Sequence, residues 1–420
     1  MKPLYNIYLL FIRSGLKNDT SFSQVVSVEE QAALAALAEE HRTIPFVLPG
    51  FRNTPFYSAM LQKTKNMMLN YYQIDAFTRH TVSLLKENGV PCILLKGISL
   101  AACYPVPEYR KLGDLDLYIN KPENLGKAKA LLEAHGYREE KELRDHHLTY
   151  RYTFPKTGRS FLLELHYRVV GMYQYAPANQ TVEEIYSSLH LKPVQKTFNG
   201  FSYEVLPPTE YVFYMIHHML KHYLYSGFGI RLLCDFTLYL QRYEREIDFS
   251  RIHQWCEASR ISHLYEIILE TCRLYLGLSA SIDPEIKADP ETSEAFLIRI
   301  LEDGDMGADV SQALVGSSSY RKINLLTYFR EGHVQMKVRF PKPAAGRFSG
   351  PSSGLPPSSV FSKIPTQSET PLSGRPLRIS GKATRKQPLF RFLKTATLNR
   401  DAVFILPEGR CPTSAHPPYD

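Results

Sequence analysis

The chain has 420 residues, 44% of them apolar, which is enough for a sizeable core in two or three domains. Its net charge of +8 comes from one end: residues 341–420 hold 12 of the 50 Lys/Arg and 4 of the 42 Asp/Glu, leaving 38 of each sign in residues 1–340. Composition therefore does not write a basic nucleic-acid groove into the first 340 residues, and no apolar run approaches the ~20 residues that span a bilayer. Six cysteines with no CxxC and no Cys/His ligand spacing read as small hydrophobes of a reduced, cytoplasmic protein.

Residues 1–15, MKPLYNIYLLFIRSG, contain a short apolar stretch without a small-residue cleavage site, so a helix packed on the body is expected there in place of a signal segment. Ser27-Val28-Glu29-Glu30 is a capping-box pattern ahead of AALAALAEEH and predicts a helix near 28–42. Pro45 and Pro49-Gly50 break the chain. Apolar residues then recur every three or four positions through Met60, Met67, Met68, Ile74, Val82 and Leu85, predicting a long helix over 55–86 that Asn88-Gly89 ends. Residues 1–90 thus form a helical segment that braces the core.

Residues 91–206 alternate short β-like runs with helices. A strand over 92–95 stops at Lys96-Gly97, a short helix comes next over 98–103, then a strand over 114–119 and a helix over 122–135. Alternating runs at 147–154 and 160–168 flank Pro155-Lys156-Thr157-Gly158, a turn of hairpin length, and predict an antiparallel pair that brings Glu164 beside the 114–119 strand. A short strand over 198–206 ends at Pro207-Pro208. Residues 207–340 read as largely helical, with helices from Thr209, over 230–245, over 250–259 and over 261–278. Residues 341–420 carry 13 of the 28 prolines among Ser, Gly and basic residues, with no sustained periodicity, and read as a disordered tail. A basic arm for nucleic acid or anionic surfaces and a shifted reading frame after Phe340-Pro341 are the alternatives there. The fold class expected is α+β: a small mixed sheet flanked by helices, a mostly helical C-terminal domain and the tail.

Asp114 and Asp116 lie two apart on a strand and share a face, while Leu115 and Leu117 point to a core. Glu164 sits in a second alternating run, Leu163-Glu164-Leu165-His166. Three convergent carboxylates suit a hard divalent cation, and Mg²⁺ commonly couples carboxylates to substrate phosphates. The bland reading of the paired aspartates is a solvated strand edge, but Lys96-Gly97-x-Ser99 upstream adds backbone N–H groups at a helix start, an anion site. Lys96, Arg110 and Lys111 are candidates to neutralise phosphate charge, with snorkelling for Lys96 and surface exposure for the other two as alternatives. His166 shares the face of Glu164 and either orients a carboxylate, contacts nucleotide or packs as a core histidine. His146-His147 are adjacent, a poor ligand spacing. His218 and His222 share a helix face but have no evident carboxylate partner, so they read as packing, as does the Tyr-rich stripe at 211–225. Arg231 and Asp235, four apart, read as an ion pair.

The set Leu95-Lys96-Gly97, Tyr104-Pro105, Arg110, Asp114-Leu115-Asp116-Leu117 and Glu164-Leu165-His166-Tyr167 resembles the bacterial branch of uncharacterised nucleotidyltransferase-like proteins within the polymerase-β-like nucleotidyltransferase superfamily. The resemblance covers roughly residues 20–335, and Tyr167 departs from the Trp usual at that position. It implies that Gly97 and Ser99 hold nucleotide phosphates, that Arg110 has a phosphate role, and that Asp114, Asp116 and Glu164 are the catalytic metal ligands. The activity implied is Mg²⁺-dependent transfer of NMP from an NTP to an unidentified acceptor hydroxyl (small molecule, protein or RNA) by a two-metal mechanism, with Mn²⁺ as a substitute ion. Two alternatives differ in class: a metal-dependent glycosyltransferase, whose DxD needs no preceding Gly-Ser turn, and a non-catalytic nucleotide-binding interaction protein. A membrane partner is not expected.

Overall fold

The computed structural model describes residues 1–304 except 20–21, 23–25, 141–145, 174–175 and 226–228. The tail expected over 341–420 and the break expected at Gly227 lie outside the described residues. Seven strands build one mixed sheet: β1 (Ile93–Leu94), β2 (Leu115–Tyr118), β3 (Arg138–Glu140), β4 (His147–Thr153), β5 (Ser160–His166), β6 (Val194–Phe198) and β7 (Phe201–Val205). Their order is β3-β4-β5-β2-β1-β7-β6. β2 runs parallel to β5 and β1 parallel to β7, while the other pairs are antiparallel. The α+β class expected from the sequence is observed.

Helices α1 (Pro3–Leu16), α2 (Val28–Glu40), α3 (Ile44–Val47) and α4 (Tyr57–Glu87) precede the sheet, and α5 (Ile98–Ala101), α6 (Pro122–Ala134) and α7 (Ala176–Tyr186) punctuate it. After the last strand come α8 (Pro208–Tyr225), α9 (Arg231–Tyr243), α10 (Phe249–Ala258), α11 (Ser262–Thr271) and α12 (Pro290–Asp303). The capping box of α2 forms as read, with Ser27 and Glu30 bonding each other's backbone N–H. α1 buries Tyr8, Phe11 and Ile12, and Tyr8 Oη lies 2.6 Å from Thr43 Oγ1. Among the described residues, no helix is long and apolar enough to cross a membrane.

Two apolar clusters divide the two faces of the sheet. Leu94, Leu115, Leu117, Leu163 and Leu165 join Ile74, Phe77 and Leu85 of α4 and Leu132 of α6 in one. Ile93, Leu95 and Tyr118 join the cluster of the C-terminal helices α8 and α9. Strand alternation therefore turns the polar residues of β2 and β5 towards the second cluster's side.

Three details differ from the sequence reading. The expected strand at 198–206 is a hairpin, β6–β7, turned at Asn199 (φ 50°) and Gly200 (φ 75°); two successive positive-φ residues are what the tightest hairpin turn requires. α8 begins at Pro208, so Thr209 lies inside its first turn, and its Oγ1 accepts from the Asp248 N–H at 3.0 Å. The 261–278 helix stops at Thr271 and loosens into one π-helical turn, Cys272–Leu276. The three-residue, charged β3 and the helix α7 had no expectation; β3 is too short to show a period.

Phe77 has no exposed surface and stacks with Tyr137, Tyr152 and Phe161 at ring-centroid distances of 6.3, 6.1 and 5.3 Å. Phe77→Ala removes a shared member of this aromatic group and is expected to cost about 3–5 kcal/mol, read as a lower urea midpoint.

Candidate active site

The parallel register of β2 and β5 decides the site. Asp116 pairs level with Glu164, and Tyr118 with His166. β4 extends both rows: Thr149 lies opposite Glu164, and His147 opposite His166. Asp116 is buried at 1% exposure, whereas the side chains of Asp114 and Glu164 keep 34% and 25%. Asp116 is thus the buried member of the carboxylate group, and Asp114 and Glu164 are the members that reach solvent.

Two cations meet them. Lys96 Nζ lies 3.1 Å from Asp116 Oδ1 and 3.8 Å from Asp114 Oδ2. His166 Nε2 lies 3.2 Å from Asp116 Oδ1 and 3.4 Å from Glu164 Oε2. Burial alone would discharge Lys96, but Asp114, Asp116 and Glu164 hold its ammonium well above the usual lysine range. Burial likewise opposes the charge on His166, yet the hydrogen bonds to Asp116 and Glu164 raise it to about 9. Burial raises Asp114 to about 7 against the pull of Lys96, with Asp116 and Glu164 adding to the rise. For Glu164 burial is outweighed by the His166 hydrogen bond and by Lys96, which hold it well below the usual carboxylate range. Asp116 Oδ2 is buried and has no hydrogen-bond partner.

The turn after β1 carries Gly97 at φ +77° as the residue before α5. A Cβ there would meet nothing within 4 Å, so the backbone angle and not crowding makes the position favour glycine. Ser99 is buried, and its Oγ lies 2.9 Å from Tyr211 Oη on α8 and 3.4 Å from the Lys96 carbonyl. The hydroxyl therefore ties the turn to the C-terminal helices.

Arg110 is not the surface charge that its neighbourhood in sequence suggests. It is 3% exposed and grips Asp235 of α9 through Nε (2.7 Å) and Nη2 (2.8 Å), while Nη1 reaches the Gly97 carbonyl at 3.4 Å. Tyr104 Oη donates to the same Asp235 at 2.7 Å. Arg231, expected to pair with Asp235, approaches it only at 3.8 Å. Lys111 is pushed down by partial burial and by Arg42 and Arg231 nearby. His218 is half-buried, stacks on Tyr214, and burial holds its pKa well below the usual histidine range, as the packing reading implied. Sequence reasoning passed over His147, whose Nε2 lies 3.6 Å from Glu164 Oε1. The cross-strand position of His147, level with His166, was the available signal.

Acidic residues from two parallel strands, set beside a glycine turn on a mixed sheet, place this protein among the nucleotidyltransferase-like proteins. A family model described as an uncharacterised nucleotidyltransferase matches residues 27–277, and the chain belongs to that family. Membership implies a nucleotide substrate and, as in nucleotidyltransferases generally, a divalent metal. Among solved structures the chain is similar to an antigenic nucleotidyltransferase-like protein from Paracoccidioides brasiliensis (14% identity, TM-score 0.33, covering 51% of this chain and 96% of that one). It is also similar to JHP933 from Helicobacter pylori (15% identity, TM-score 0.28, covering 59% and 97%). No curated protein matches.

The electrostatics give two expected outcomes. Asp235→Asn leaves the buried Arg110 charge with a weakened partner and is expected to destabilise the protein by about 3–5 kcal/mol in urea unfolding. Because the His166 pKa is raised in the folded state, its stabilisation is complete below about pH 6.5 and is lost as pH rises through about 9. In chelator-treated protein, the melting temperature should fall between pH 7 and pH 10, and His166→Gln should flatten that fall.

Proposed function

We propose that the protein is a Mg²⁺-dependent nucleotidyltransferase that moves NMP from an NTP to an acceptor hydroxyl on a small molecule, a protein or an RNA. The observation that carries this reading is the Asp116/Glu164 pairing on parallel strands, with Asp114 meeting the same Lys96 ammonium as Asp116. The donor set suits the ion: Asp114, Asp116 and Glu164 offer carboxylate oxygens, the ligands a hard cation takes, and the buried Asp116 Oδ2 has no hydrogen-bond partner. Mn²⁺ would serve as a substitute.

In this reading Asp114, Asp116 and Glu164 would hold the divalent ions. Bound divalent ions supply charge neutralisation on the oxygens that enter and leave phosphorus. The acceptor oxygen bonds to the α-phosphorus, the bond to the bridging oxygen breaks, and pyrophosphate leaves with that electron pair. The acceptor proton passes to Glu164 or to water. Lys96 stands where it can follow the triphosphate charge, and the Gly97–Ser99 turn offers backbone N–H groups to the phosphates. Arg110 acts on the nucleotide through the Gly97 carbonyl that it holds, since its other nitrogens face Asp235. The working unit is residues 91–206, braced by 1–90 and walled by the helices that follow β7, in the cytoplasm.

Incubating the protein with Mg²⁺, cell extract and each α-³²P-labelled NTP in turn should label one macromolecule or metabolite. Asp116→Ala should lower that labelling about 100-fold or more, since even residues that only support a metal ligand cost 10–100-fold. A protein that binds Mg·NTP but labels nothing would be a nucleotide-binding interaction protein, and the transferase reading would fall.

A further inference from the structure

The glycine turn after β1 is held by side chains from outside it. Gly97 has φ +77° and ψ −116°, and a Cβ there would meet nothing within 4 Å, so crowding does not fix the turn. Two hydrogen-bonded chains reach it from the C-terminal helices. In the first, Ser99 Oγ lies 3.4 Å from the Lys96 carbonyl, which can only accept, and 2.9 Å from Tyr211 Oη. A serine has one hydroxyl proton, so both contacts form together only when Tyr211 donates to Ser99 and Ser99 donates to Lys96. The Tyr211 ring is stacked on Tyr239 of α9 at 4.5 Å, which fixes where that hydroxyl lies. In the second chain, Asp235 accepts from Nε and Nη2 of Arg110 and from Tyr104 Oη, and Arg110 Nη1 donates to the Gly97 carbonyl at 3.4 Å. That carbonyl also accepts from the Ala101 N–H at 3.0 Å.

A trans peptide is planar, with its C=O and N–H pointing opposite ways. The Lys96 carbonyl shares a peptide with the Gly97 N–H, and the Gly97 carbonyl shares the next with the Ile98 N–H. Holding both carbonyls towards Ser99 and Arg110 therefore turns two successive N–H groups away from those side chains. Among the described residues neither N–H has a hydrogen-bond partner. We propose that Tyr211 of α8 and Asp235 of α9 are positioning residues for nucleotide binding, acting through Ser99 and Arg110, and that none of the four touches the phosphates. All four side chains are buried, and Ser99 has no second proton to offer a phosphate. Contact with the nucleotide is left to the Gly97 and Ile98 N–H groups, whose aim the helices set. Substrate affinity thus depends on residues of α8 and α9 that lie outside the sheet. The inference rests on the proposed function in that the turn receives the nucleotide's phosphates.

The test uses the full-length chain as wild type, Tyr211→Phe, Arg110→Lys and Asp235→Asn. Arg110→Lys keeps a charge opposite Asp235 but loses the fork that also reaches Gly97, so it carries the second arm if Asp235→Asn does not fold. Three quantities are read: backbone hydrogen exchange by mass spectrometry without nucleotide, affinity for each Mg·NTP, and affinity for Mn²⁺ alone. The Ala101 and Ala102 N–H groups, bonded to the Gly97 and Ile98 carbonyls at 3.0 Å, report the turn. Each folded variant should exchange faster there and bind Mg·NTP more weakly, both by about three- to tenfold, the worth of one hydrogen bond. Mn²⁺ affinity should stay as in wild type, because the carboxylates are untouched; a residue that only stabilises the fold would lower both affinities together. Unchanged exchange at the turn in Tyr211→Phe and Arg110→Lys, or a loss of Mn²⁺ affinity equal to that of Mg·NTP, would overturn the inference. Wild-type Mg·NTP binding that both variants retain in full sinks this inference alone. Faster turn exchange in the variants of a protein that binds no Mg·NTP sinks the transferase reading alone.

Discussion

The pairing of β2 with β5 concentrates negative charge at one point of the sheet, and much of the surrounding architecture compensates for it. Asp116 and Glu164 stand level on neighbouring strands, and Asp114, just before β2, shares the Lys96 ammonium with Asp116. Like charges in a buried recess repel strongly because little water screens them. Lys96 and His166 counter this with contacts of 3.1–3.4 Å, and both remain charged in a place where burial would otherwise discharge them. Asp116, Glu164 and His166 are one of the side-chain groups there that could hold a metal ion.

A second constraint joins the sheet to the helices behind it. Arg110 and Tyr104, from the loop between α5 and β2, converge on Asp235 of α9, and the same guanidinium reaches the Gly97 carbonyl. Ser99 adds a contact to Tyr211 of α8. The glycine turn is thus fixed from the helical side, so a change in α8 or α9 would be felt at the turn without touching the carboxylates. Burying this ion pair is costly in itself; what it provides is a single position for the loop. The five described cysteines are all buried free thiols and take no part in either arrangement.

Part of this row was legible in the chain, because strand alternation is a local rule: Glu164 and His166 share a face of β5, whereas β2 begins at Leu115 and leaves Asp114 just outside the expected 114–119 strand. The long helix α4, the capping box of α2 and the β4–β5 hairpin arise from equally local patterns. The β6–β7 turn was legible too, since Asn199-Gly200 is a hairpin pair, yet it lay within what read as one strand.

Residue order by itself determined which side chains could act together along each strand or helix, since 2.0- and 3.6-residue periods fix faces within a few neighbours. Only the tertiary structure decided which strands became neighbours and in what register. That choice put Glu164 level with Asp116, His147 beside His166, and Asp235 on Arg110, 125 positions away. Such partners are chosen by packing across the whole core, a sum over distant apolar contacts that no local window contains. The same sum moved Arg110 from an apparent surface position into a buried ion pair.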